Sequence, residues 1–381
     1  MRYKKFTGYL VFGLVAAVLC LSLSAVQTEK KDTAYQFTVT QEIKHTPVKD
    51  QARTGTCWCF STVSFIESEA LRLGAEAMDL SEMYIVHYNY QKKAENYIRM
   101  HGTANFGQGG LSHDVMNRFR ENGIVPESVY DGMRLGVDYH DHGEMSRVLK
   151  GIVDAVLSSR HPTIQWKAAF TGALSAYLGV PPESFEYEGK TYTPRSFAEE
   201  RVRIDPDDYV ELTSYTYAPF YSQCILKIPD NWCYCGDFYN VPIDDLERAV
   251  DYALENGYSF VWDGDVSEKY FSSRDKGYAI LPEQEPEGEI TEPVEEMQVD
   301  QTSRQKTFNS YHTTDDHLMH VIGLAKDQNG NTYYYIKNSG GTNGVYKGYL
   351  YMSKPYFRMK TTAVMVHKDA LPSDLKEKLG L

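Results

Sequence analysis

A thiol, an imidazole and a carboxamide, far apart in the chain, are the side chains with chemistry to offer. Cys57 lies in Gln51-Ala52-Arg53-Thr54-Gly55-Thr56-Cys57-Trp58-Cys59-Phe60-Ser61, where a glycine-containing turn opens a helical pattern. A thiol at a helix N-terminus feels unpaired backbone N–H groups and the positive end of the dipole, which favour thiolate. Six residues upstream, Gln51 can offer its side-chain amide to an oxyanion beside the backbone N–H of Cys57. His317 enters the strand pattern His317-Leu318-Met319-His320-Val321-Ile322-Gly323, and Asn338 ends the next one in Asn338-Ser339-Gly340-Gly341. A carboxamide that accepts from an imidazole fixes its tautomer, so Cys57, His317 and Asn338 read as nucleophile, base and orienter, with Gln51 as oxyanion donor. His320 competes with His317, but residues three apart on a strand face opposite sides and only one can meet the thiol.

A helix and a sheet must hold these groups. Of 381 residues, 42% are hydrophobic and 13% aromatic, enough for one large domain or two ordinary ones. Phe60, Val63, Ile66, Ala70 and Leu71 have helical spacing, stopped by Gly74. Leu111, Val115, Met116 and Phe119 repeat it before Asn122-Gly123, and Leu246, Ala249, Val250, Ala253 and Leu254 repeat it between Asp244 and Asn256-Gly257. Segments 258–262, 319–324, 333–337, 346–352 and 363–367 are short, rich in β-branched and aromatic residues and separated by turn chemistry, which predicts an antiparallel sheet. Helices first and strands later give an α+β protein. Seven glutamates with Pro286, Gly288 and Pro293 over 283–296 predict a solvated loop. The net charge of −13, with no basic run to offset it, argues against nucleic acid as a partner.

Residues 1–24 read as a secretory signal peptide: a basic start, an apolar run from Tyr9 to Leu23, and small residues at Ser22, Ser24 and Ala25. The run is shorter than the ~18–20 residues that span a bilayer, so no stable membrane insertion is expected after processing, a retained anchor being the alternative. The chain is therefore expected in the bacterial periplasm or secreted. Once Cys20 leaves, Cys57, Cys59, Cys224, Cys233 and Cys235 cannot pair completely, and a free thiol in an oxidising compartment needs work to do. A metal protein is a competing reading, with Cys57-x-Cys59 and Cys233-x-Cys235, or Asp316, His317 and His320, as ligands; one residue between paired cysteines is a poor zinc spacing.

At the nucleophile block the sequence resembles the papain-like cysteine peptidases. The likeness extends to Leu80-Ser81-Glu82, Gly109-Gly110, the step from His317 to Gly323, which favours His317 as the base, and Asn338-Ser339-x-Gly341. Within the family it is most similar to the bleomycin hydrolase and bacterial aminopeptidase C branch, because Thr54 stands where other members carry a cysteine. Pro229-Asp230-Asn231-Trp232, Trp262-Asp263-Gly264-Asp265 and Lys347-Gly348-Tyr349-Leu350 are further branch-like blocks. Cys57 and His317 stand 260 residues apart in number, against about 130–150 in the common pattern. The excess predicts an insertion.

The resemblance implies a papain-like fold: a helical part with the nucleophile at 25–130, a helical insertion at 131–222, and a β-rich part with His317, Asn338 and a C-terminal arm at 223–381, the cleft lying between helical and sheet parts. It implies a cysteine aminopeptidase acting on peptide substrates without a cofactor, a possible homo-oligomer, and Gly109 and Gly110 offering backbone to an extended substrate. In that branch the C-terminal arm enters the cleft and its carboxylate meets the substrate's α-amino group; residues 373–379 forming a surface helix instead is the alternative, with Asp263, Asp265 and Asp316 then the candidates for that task. Gly340 stands where the family carries tryptophan. A catalytically weak binding or scaffold protein on the same fold is the other reading. The processing site predicts a mature N-terminus near Ala25, checked by the intact mass of exported material; a mass that retains residues 1–23 overturns it.

Overall fold

The spacing over 57–73 folds as α1 (Cys57–Arg72), and every residue from Cys57 to Ala70 is buried. The computed structural model describes residues 34–381, so the signal-like segment, Cys20 and the processing site lie outside the described residues. A helix buried all round lies between layers, and α1 does so. On one side are α2 (Glu82–Arg99), α3 (Ser112–Asn122), α4 (Gly143–Leu157) and α5 (Trp166–Leu178); on the other is the sheet. The sequence pattern did not reveal α2. Its buried face is built from Tyr84, His87, Asn89, Tyr90, Lys93 and Tyr97 as well as aliphatic residues, so it carries no simple aliphatic stripe.

Eleven strands form the sheet. Its order runs Ser222–Cys224, Phe238–Asn240, Tyr209–Thr213, Thr361–His367, Phe260–Gly264, His317–Lys326, Thr332–Lys337, Tyr349–Ser353, Tyr278–Ala279 and Phe271–Ser272, and Thr38–Glu42 also pairs with His317–Lys326. Pairing is antiparallel except at Tyr209–Thr213 with Phe238–Asn240 and at Tyr349–Ser353 with Tyr278–Ala279. Gly323 is needed in the histidine strand because a Cβ there would stand 2.0 Å from the Gln41 carbonyl oxygen. Of the segment 131–222, α4, α5 and a small hairpin (Phe185–Tyr187 with Lys190–Tyr192) pack outside the sheet, whereas Tyr209–Thr213 returns to it beside Thr361–His367. The glutamate-rich stretch 283–296 carries no helix or strand, although its last residue, Glu296, is half-buried and accepts from the Leu281 amide at 2.6 Å.

Alternation along the strands sends Val261, Leu318, Ala363 and Met365 toward the α1 core and Trp262, Met319, Val321 and Val364 to the other face. That second face is covered by the helix Ile243–Glu255 and by the C-terminal helix Ser373–Leu379, whose Leu375 and Leu379 are buried there. Arg248 clamps the C-terminal helix by bonding Asp374 at 2.8 Å. The expected C-terminal arm in the cleft is therefore corrected: the chain end is a short amphipathic helix on the face of the sheet opposite α1.

Behind α1 lies a buried charge network. Lys49 Nζ donates to both oxygens of Glu82 at 2.9 Å and to the Leu80 carbonyl at 2.8 Å, and it pairs with Asp79 at 2.5 Å. Glu67 accepts from the Leu80 amide at 2.8 Å, while Lys337 reaches Thr46 at 3.0 Å. Burial pushes Glu82 up to about 7 and Lys337 down to about 8, and it raises Glu67 as well. A carboxyl whose folded-state pKa is raised loses stability as pH rises. Lys49→Met is accordingly expected to cost about 3–5 kcal/mol at pH 8 and less at pH 5, where the orphaned carboxyls take up protons; urea denaturation at the two pH values checks this.

Candidate active site

Cys57 is the first residue of α1 and is 8% exposed. The backbone N–H of Leu318, the residue after His317, lies close enough to the sulfur to favour its ionised form, which brings two segments distant in the chain together at Cys57. Burial pushes the Cys57 thiol up to about 12; the carboxyls of Asp315, Asp263 and Asp230 push the same way, and the Leu318 amide opposes them. The helix N-terminus, which the sequence offers as an aid to the thiolate, is outweighed here by desolvation.

His317 Nε2 stands 2.7 Å from Asn338 Oδ1. An amide oxygen accepts, so Nε2 carries the proton and Nδ1 is the nitrogen left to take one from a thiol. Burial lowers the His317 pKa, and the Asn338 bond raises it against that trend. Asn338 is fixed in turn: its backbone N–H donates to Gly348 at 3.0 Å, and its Oδ1 also accepts from the Ser339 amide at 2.8 Å. Gly340 is exposed and nothing lies within 4 Å of the position of its missing side chain. Where the family pattern has an indole, this site is open.

The turn at Asn338 is zipped to the loop before α1. Gln51 N–H donates to Ser339 O at 2.9 Å, Ser339 Oγ donates to Gln51 Oε1 at 2.6 Å, and Gly341 N–H donates to Lys49 O at 3.2 Å. Gln51 Nε2 donates one proton to Thr54 O at 2.8 Å, which leaves its second N–H for another acceptor. Ser339 thus orients both the oxyanion donor and the turn that carries Asn338.

His320 is fully buried, with Nδ1 on Ser64 Oγ at 2.8 Å and its ring edge-on to Phe65. It packs the strand against the middle of α1.

Gly109 and Gly110 are explained by internal packing. A Cβ on Gly109 would stand 1.8 Å from Asp230 Oδ2, and one on Gly110 would stand 2.8 Å from Asp114 Oδ2 and 3.1 Å from the Trp58 ring. The buried Lys93 ammonium donates to the carbonyls of Gly107, at 3.0 Å, and Gly109. Gln108 accepts from the Gly55 amide at 2.8 Å through its side chain and from Trp58 Nε1 at 2.9 Å through its backbone, which ties the glycine strip to the nucleophile loop. Sequence reasoning missed Lys93, Gln108 and Asp230; the branch-like block around Asp230 was the signal available for the last of them.

All five described cysteines are free. The ligand sets of the metal reading do not form: Cys59 Sγ faces the Glu82 carbonyl at 3.3 Å, and among the described residues the ligand-type side chains that converge are His113, Asp114 and Cys233. Those are engaged already, His113 with Glu211 at 2.8 Å and Cys233 at 3.4 Å, and Asp114 with Trp232 Nε1 at 2.9 Å.

Residues 34–198 match the papain family cysteine protease model, and residues 165–380 match the peptidase C1-like family model. Aminopeptidase G of Lactobacillus delbrueckii subsp. lactis is 23% identical, covering 87% of this chain and 83% of the relative. Human bleomycin hydrolase is 22% identical over 94% of this chain and 87% of its own length. Among solved structures, PepW from Lactobacillus rhamnosis superposes with a TM-score of 0.71 at 18% identity, covering 90% of this chain and 84% of the other, so the two share a fold. The α+β, papain-like architecture expected from the sequence is the one observed.

Because the Asn338 bond raises the His317 pKa, its removal lowers it further and keeps the imidazole neutral to more acidic pH. Asn338→Ala is expected to move the acid limb of kcat/KM to lower pH while reducing kcat/KM by about two orders of magnitude. A peptide-hydrolysis pH profile of the two proteins measures both effects.

Proposed function

We propose, from the premise that the chain belongs to the peptidase C1-like family, that it is an exported cysteine aminopeptidase that removes N-terminal residues from peptides through an acyl-enzyme. The observation that carries this is the 2.7 Å His317–Asn338 bond on the strand whose next amide meets the Cys57 sulfur. Cys57 passes its proton to His317 Nδ1 as the sulfur bonds to the substrate carbonyl carbon. The negative charge that develops on the carbonyl oxygen is met by the free N–H of Gln51 and the backbone N–H of Cys57. His317 then returns the proton to the leaving amine as the C–N bond breaks, and water, deprotonated by His317, hydrolyses the thioester. The exo mode of cleavage follows the relatives named as aminopeptidases. No cofactor enters these steps; a reduced Cys57 does.

The test is hydrolysis of one peptide in free-amino and N-acetylated form, with and without alkylation by iodoacetamide. Cys57→Ala is expected to abolish turnover, and His317→Ala to reduce it about a thousandfold. His320→Ala is expected to lower stability by about 1–3 kcal/mol while sparing the turnover of the folded fraction, since it removes a buried hydrogen bond rather than the base. Deleting Gly380 and Leu381 is expected to leave the ratio of free-amino to acetylated hydrolysis unchanged. Equal losses at His317 and His320 without unfolding, or a ratio that collapses on truncation, would contradict these assignments.

A further inference from the structure

An enzyme that trims from the amino end needs a negative group near its nucleophile to hold the substrate's ammonium, and the chain's own C-terminal carboxylate is packed on the far face of the sheet. Acidic side chains from three separate segments stand near Cys57 instead, all close enough to oppose its ionisation: Asp230, Asp263 and Asp315.

Asp263 pairs with Leu318 across antiparallel strands, which sets their Cα atoms about 4.5–5.5 Å apart. It lies in alternation with Val261, so its side chain is on the α1 face, next to the amide that meets the Cys57 sulfur. It is 3% exposed; neither carboxyl oxygen makes a hydrogen bond of good geometry, and its near neighbours are the Asp315 carboxyl and the Thr362 hydroxyl. Asp315, two residues before His317, is partly buried with Oδ2 likewise without a well-formed hydrogen bond. Asp230 stands on the loop after Cys224: Oδ1 accepts from Asn105 at 2.9 Å, Oδ2 faces the bare Cα of Gly109, and the buried Lys93 ammonium lies near enough to favour its charged form. The other acids of this region are already satisfied. Asp265 accepts from the Ser267 amide at 2.9 Å and the Thr314 amide at 3.1 Å and pairs with Lys360 at 3.5 Å, and Asp316 is exposed and bonded to Thr314 Oγ1 at 3.0 Å.

A buried carboxyl without donors is costly unless something supplies them, and a primary ammonium brings three. We propose that Asp263, Asp315 and Asp230 form the subsite that takes the α-ammonium group of the peptide substrate and so sets its first carbonyl at the Cys57 sulfur. This rests on the peptidase reading above and names what that reading lacks. It carries a second consequence. Burial pushes Asp263 up to about 7 and raises Asp315 well above the usual carboxylate range, so the pair holds a proton until a cation replaces it. An arriving ammonium displaces that proton to solvent and leaves the net charge beside the Cys57 sulfur unchanged, so binding is accompanied by proton release.

The experiment compares wild type with Asp263→Asn, Asp315→Asn, their double variant and Asp230→Asn. The probes are leucyl-, N-acetyl-leucyl- and N-acetyl-lysyl-aminomethylcoumarin, together with the rate of iodoacetamide alkylation at Cys57. The double variant is expected to lose roughly ten- to a hundredfold in the free-amino to acetylated ratio of kcat/KM, mainly through KM, while Cys57 is alkylated faster at pH 7. Asp230→Asn, on a loop, supplies the same readout should the buried variants fail to fold, with a smaller loss of the same sign. A ratio unchanged in every folded variant overturns the proposal. So does a wild type that prefers the acetyl-lysyl probe to the free leucyl one and loses that preference in the variants, because the site then takes a side-chain cation. A wild type alkylated at Cys57 that cleaves no probe overturns the peptidase reading itself, which a wild type indifferent to acetylation does not.

Discussion

The docking of α1 along the strand His317–Lys326 governs everything else in this molecule. A nucleophile and a base that stand 260 residues apart in number must arrive within a proton's reach of one another, and a loosely packed interface would not hold them there. The interface is pinned twice. Leu318 N–H meets the sulfur at the helix start, and His320 Nδ1 meets Ser64 Oγ at 2.8 Å further along. Cys57 and Ser64 are seven residues apart, two helical turns on one face, and Leu318 and His320 are two apart, one face of a strand. The two contacts hold α1 to the strand at two separate points along its length. A one-residue slip of the strand would turn His320 away from α1 and take the Leu318 amide from the sulfur.

Buried charge is handled in two different ways on the two sides of that interface. At the base, Glu67 and Glu82 are matched by Lys49 and Lys337 and bridged by backbone groups, so the carboxyls serve to tie the leading segment to α1 and α2. On the Cys57 side, Asp263 and Asp315 face each other with oxygens that make no hydrogen bond of good geometry. A fold that satisfies one set of buried acids so fully has no steric reason to leave the other set bare, and bare acids beside a thiol make the resting nucleophile harder to ionise.

How much of this was legible in the residues follows from which interactions leave a local mark. The nucleophile helix, the histidine strand and the asparagine turn each carry one: apolar spacing, β-branched runs bounded by turns, and glycines such as Gly323 that a close approach demands. The helix α2 does not, because its buried face mixes tyrosine with His87, Asn89 and Lys93, which read as surface residues until the helices around them are known. The destination of the C-terminal arm was also illegible. Residues 373–379 have the length and spacing of a surface helix, but whether that helix lies in a cleft or on the back of a sheet depends on Leu246 and Arg248, more than a hundred residues earlier. Asp263 reads as one acid of several in Trp262-Asp263-Gly264-Asp265, and only the pairing of its strand with Leu318 sets it beside the sulfur.

Gly340 shows how the site is held without a lid. With open space at that position, the His317–Asn338 bond is not shielded from solvent by a neighbouring indole. Its rigidity comes from beneath: Asn338 is fixed by Gly348, and the turn that carries it is stitched to Gln51 through both the backbone and the hydroxyl of Ser339. Asn338 and Gln51 therefore share one support. A displacement of the asparagine turn moves Gln51 with it, so Asn338 and Gln51 keep their distance when the turn shifts as a unit. That coupling gives Asn338 and Gln51 a shared foundation in place of a covering side chain at position 340.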